Sequence, residues 1–173
     1  MNKVMYVIMS CVLLIGPVLS IGCSSDYALV VQSAGVVSEY GVYFGLKNGV
    51  KPDAKKTKVA QKSLEVAIKI AESESINDVV DFNVIIANLD EDIQKLIQPT
   101  FDKIDGKYVD LKNKIPQEKM PLIISILKGA KNGVDKYLVY VEGMEKNSDA
   151  SVQGINTYEE DLVKRYSKYS DNL

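Results

Sequence analysis

The sequence predicts an all-α fold, a compact bundle of five to six helices. Two observations carry this. Apolar residues recur at helical spacing through most of the chain beyond residue 26. No pair of alternating runs flanks a two-residue turn, because Asn132-Gly133 lies inside a stretch of helical period.

The first predicted helix covers about residues 26–48 and contains YALVVQSAGVVSEYGVYFGL, a stretch with Glu39 as its single charge. Gly49 supplies a stop and Pro52 follows at the expected distance. The second helix covers about 53–73, where Ala60, Leu64, Ala67, Ile68 and Ala71 share one face. Its lysines and glutamates form a solvated opposite face. A third helix starts at Ser75, with capping-box spacing to Asp78. Asp90 caps a fourth, whose apolar phase from Ile93 to Leu111 runs through Pro99. The expectation is one kinked helix, the alternative a break at Gln98.

Ile115-Pro116 marks a turn before a fifth helix over about 117–145. Residues 146–154, KNSDASVQG, read as a polar loop. A short sixth helix then carries Tyr158, Leu162, Tyr166 and Tyr169 on one face. Tyrosines 137, 140, 158, 166 and 169 read as ring packing between the last two helices or as a partner-binding surface.

The N-terminus has a different character. Lys3 is the only charge in the first 25 residues, and residues 4–18 are almost wholly apolar. That length fits the core of a secretory signal peptide. The run Leu19-Ser20-Ile21-Gly22-Cys23 follows it directly. This run resembles the lipobox of bacterial lipoproteins, with Gly22 at −1, Cys23 at +1, and Ser20 at −3 where leucine is usual. The resemblance implies cleavage before Cys23 by signal peptidase II and acylation of that cysteine. It implies a membrane-bound protein facing the periplasm, on the outer membrane of a two-membrane cell, or the exterior of a single-membrane cell. It covers only the first 25 residues or so. An uncleaved anchor of ~18 residues and an ordinary secretory signal remain open alternatives. The expected organisation is a signal peptide at 1–22, a lipidated cysteine with a short tether at 23–26, and one helical domain at 27–173.

Cys23 would be the sole cysteine of the mature chain, since Cys11 leaves with the signal, so no internal disulfide can form. Net charge is −2, without the basic excess that nucleic-acid binding needs. Histidine is absent, which removes the commonest general base and the usual zinc ligand. Arg165 is the only arginine, so planar bidentate clamps are scarce. Asp102, Asp105 and Asp110 lack the spacing of a calcium loop and read as exposed carboxylates. The expectations are therefore no catalytic residue, no metal and no cofactor.

Gly41, Gly45 and Gly49 stand four apart. On a helix they form a flat strip that suits close packing, within a soluble bundle or between helices in a membrane. Three residues separate Cys23 from the first helix, a reach of only ~10–13 Å. The sequence thus suggests a non-catalytic interaction module at a membrane surface, its first helix touching the membrane or an envelope protein. Membrane perturbation or oligomerisation through the glycine strip is the alternative, and a histidine-free enzyme a more distant one.

Overall fold

In the computed structural model, residues 27–72, 91, 94, 95, 115–145 and 149–170 are described, and they contain helices and no strand. Four α-helices result: α1 (Tyr27–Gly49), α2 (Ala54–Glu72), α3 (Met120–Glu145) and α4 (Asp149–Ser170). A 3-10 turn, Gln117–Lys119, leads into α3. The third predicted helix lies outside the described residues. Of the fourth, Glu91, Gln94 and Lys95 are helical, and Lys95 pairs with Glu91 at 2.6 Å.

Local chemistry accounts for the boundaries. α1 ends at Gly49, where the Val50 N–H still reaches Leu46 O at 3.1 Å. Asp53 caps α2, its Oδ1 accepting the Lys56 N–H at 3.0 Å. Pro121 sits in the first turn of α3, where a missing N–H costs nothing.

One expectation is corrected. Residues 149–154 are the first turns of α4, not part of a loop. Ile155 is buried and stands seven residues before Leu162, which has no exposure, so the apolar stripe begins well before Tyr158. The exposed Gly154 weakens this stretch by about 1 kcal/mol without ending the helix.

Cross-helix pairs give the directions. Lys58–Glu142, Gln61–Asp135 and Lys128–Glu72 run α2 antiparallel to α3. Ser125 Oγ donates to Val31 O at 2.6 Å, and Tyr137 OH reaches Val50 O at 3.4 Å, so α1 and α3 run parallel. α4 returns antiparallel to α1. The shared core draws Val42, Tyr43 and Leu46 from α1, Ala60 and Leu64 from α2, Ala130, Val134, Tyr137 and Val141 from α3, and Leu162 from α4.

Small residues let α1 and α3 touch. A methyl group on Gly129 would lie 2.0 Å from Gly35 O, and one on Gly133 2.7 Å from Glu39 O. Ser38 Oγ donates to Ile126 O at 2.9 Å across the same seam. Close backbone approach needs glycine, and buried hydroxyls need acceptors; both conditions are met along one line. The resulting α1 is covered through its middle, with no exposed residue between Gln32 and Asn48.

Candidate functional site

Glu39 is the buried charge of α1, only 6% exposed. Burying a carboxylate demands a paired cation and hydrogen bonds to its oxygens. α4 provides both. Arg165 Nη1 donates to Glu39 Oε2 at 3.0 Å and Nη2 to Oε1 at 3.3 Å. Tyr158 OH donates to Oε1 at 2.9 Å. Tyr158 and Arg165 are seven residues apart, which places both on one face of the helix. Asp161, one turn before Arg165, accepts from Nε at 2.8 Å and aims the guanidinium. The single arginine is thus spent on the planar clamp that a lysine could not form.

This geometry locks protonation. The Glu39 hydrogen bond pushes the Arg165 pKa further up. Burial raises the Tyr158 pKa far above the usual phenol value, and the nearby Glu39 charge adds to it. The guanidinium therefore stays charged and the phenol stays protonated.

A second lock sits about one turn further along α1. Tyr43, with no exposure, donates to Glu159 Oε1 at 2.5 Å, and Lys47 pairs with the same oxygen. Burial first, then the Glu159 bond, raise the Tyr43 pKa. Rings fill the spaces between the charges. Tyr40 stacks on Tyr166 with centroids 4.0 Å apart and planes at 16°. Tyr43 meets Tyr158 edge-on at 5.1 Å.

Beside the first lock lies an open cleft of about 510 Å³, between α3 and α4, with Glu39 at its base. Lys136 stands over the Tyr158 ring at 5.3 Å, and Asn132 and Val139 complete the rim on α3. Asp135 is occupied by Gln61 at 2.8 Å and Lys131 at 2.6 Å. The lining holds no serine, threonine or cysteine that could serve as a nucleophile. Among the described residues no buried side-chain polar atom lacks a partner, and no group of three or more His, Cys, Asp or Glu could hold a metal. The arrangement fastens α4 to α1 and leaves little unspent chemistry.

Of the residues singled out from sequence, Tyr158 and Arg165 belong to this site and the others fall elsewhere. Cys23 and Asp102, Asp105 and Asp110 lie outside the described residues. Gly41 and Gly45 are half-buried on α1, and a methyl on the exposed Gly49 would meet nothing within 4 Å. Close α1–α3 approaches occur at Gly35, Gly129 and Gly133. Tyr158 and Tyr166 pack on α1, whereas Tyr137 lies near Tyr140 with centroids 6.0 Å apart. Sequence reading missed the Glu39–Arg165 pair. Its signal was present: a lone carboxylate in the uncharged middle of a helix must be exposed or must find a cation.

Comparison with protein-family models, with curated proteins and with solved structures finds no match. No helix among the described residues is long and apolar enough to cross a membrane.

Proposed function

We propose that this chain is a lipoprotein whose helical domain acts as a non-catalytic interaction module, held on a membrane surface outside the cytoplasm by acyl chains on Cys23. The observation that carries the reading is the short spacing between the lipobox cysteine and the bundle: three residues separate Cys23 from Tyr27, where α1 begins. An anchor this close holds the domain at the headgroups, not at the end of a flexible tether. Its partners are the bilayer and a protein of the envelope or membrane, with no role for nucleic acid. The reading keeps five to six helices in the whole domain, the additional ones drawn from outside the described residues.

The non-catalytic part rests on the paired state of Glu39, Tyr158 and Arg165, whose hydrogen-bonding capacity goes largely to one another. The covered middle of α1 speaks against membrane insertion through the Gly41, Gly45 and Gly49 strip, since insertion would first require α3 and α4 to leave. Metabolic labelling with palmitate tests the anchor: wild type takes up label and Cys23→Ala does not. Equal label in both would overturn the lipoprotein reading. Crosslinking from native membranes, compared between the same two proteins, tests the interaction role: an adduct that requires Cys23 supports it, and no adduct in either protein counts against it.

A further inference from the structure

We infer that the bundle stands end-on to the bilayer, and that its lipid-contacting surface is the tip formed by the start of α1 and the turn leading into α3. The inference rests on the lipoprotein reading and adds which surface meets the lipid.

Exposure along α1 decides which surface is free. Ala28, Leu29 and Gln32 are exposed, and no further exposed residue occurs until Asn48. A domain lying on its side could not present the middle of α1, because other helices cover it. The first turns are open, and they are the part that the three-residue spacing holds at the headgroups. Leu29 is 43% exposed, one of four large hydrophobic side chains left open among the described residues. Parallel packing brings the start of α3 to the same tip, where Tyr27 OH donates to the Glu118 carbonyl oxygen. Pro116 and Pro121, both exposed, flank that turn.

The chemistry of this tip suits the boundary between headgroups and acyl chains. It offers Ala28, Leu29, Pro116 and Pro121 beside the polar Gln32 and Gln117, and a half-buried tyrosine, a ring type enriched at that depth. Within the 3-10 turn Glu118 and Lys119 carry opposite charges, so the turn itself presents no basic cluster for anionic lipid. At ~1.5 Å per residue, α1 places its other end ~34 Å further out.

The test uses the full-length lipidated protein on neutral phosphatidylcholine vesicles, with a fluorophore on a single introduced cysteine and shallow lipid-borne quenchers. Leu29→Cys, Val163→Cys and Met144→Cys place the dye at the tip, on the flank of α4 and near the outer end of α3; all three native side chains are exposed, so folding is preserved. End-on docking is expected to give strong quenching at 29 and none at 144 or 163. Quenching at 163 comparable with that at 29 would overturn it in favour of a side-on domain. Absence of quenching at all three, with the protein still floating with vesicles, would overturn it while leaving the anchor intact. Failure of the unlabelled wild type to float any better than Cys23→Ala would remove the lipoprotein reading and this inference with it.

Discussion

Arg165 grips Glu39 through two nitrogens, at 3.0 and 3.3 Å, across 126 residues of sequence. The pair fastens α4 to α1, the last and first of the described helices. Glu39 is nearly buried, whereas the Arg165 side chain is 35% exposed, so water reaches one side of the bond. Breaking it leaves a carboxylate without its cation inside the bundle. Arg165→Met is expected to lower stability by about 2 kcal/mol, a value discounted from the fully buried case for solvent screening. Arg165→Lys should recover only part, since an ammonium cannot span both oxygens. Urea denaturation of these variants and of Glu39→Gln/Arg165→Met checks this; a loss below about 0.5 kcal/mol for Arg165→Met would place the pair among inconsequential surface bridges.

Gly129 and Gly154 should respond oppositely to the same substitution. The Gly129→Ala methyl would collide with Gly35 O, backbone against backbone, so α1 and α3 must separate. A loss of about 3 kcal/mol or more is expected. Gly154→Ala places its methyl in open space on a helix and should stabilise by about 0.5–1 kcal/mol. Thermal melts of the two variants report both signs.

Alkaline pH should unfold the bundle through its tyrosines. Tyr43 and Tyr158 have folded-state pKa values raised well above 10.0 by burial and by their carboxylate partners. Their contribution is complete below pH ~10, where the unfolded phenols are also protonated. Above it the unfolded chain releases protons that the folded chain retains, and stability falls by about 1.4 kcal/mol per pH unit for each tyrosine. Urea midpoints measured on either side of pH 10 should drop steeply, and Tyr158→Phe should make the slope shallower.

Acid should act at the start of α2. The Lys56 ammonium and backbone N–H hold the Asp53 carboxyl below the usual range. The cap's contribution is therefore present above the unfolded value near 4 and lost as pH falls through the lower folded one. Asp53→Ala should cost about 1 kcal/mol at neutral pH, and Asp53→Asn much less, because the amide oxygen still accepts the Lys56 N–H. Helical circular dichroism against temperature distinguishes the two.

The signals that worked in the sequence were local. Gly49, Pro52 and Asp53 bracket the first connection, and α1 and α2 begin and end within one residue of the expected bounds. The start of α4 was missed because Gly154 and the polar run before it resemble loop composition, while the buried Ile155 that extends the helix is one apolar residue among many. Helical spacing also could not choose among the glycines. Spacing marked Gly41, Gly45 and Gly49 but not Gly35, Gly129 and Gly133, where α1 and α3 come close, because the crossing point depends on which faces meet.

Helical class, the first two helices, the missing histidine chemistry and the expectation of a lipid anchor at Cys23 were determined by sequence alone, since periodicity, caps and composition act over a few residues. Only the tertiary structure decided that the middle of α1 is covered by its neighbours, that α1 and α3 run parallel, and that the single arginine closes on the single carboxylate of α1. Those outcomes join residues some ninety to 126 positions apart. Burial energetics select such partners in space, and no local pattern encodes them.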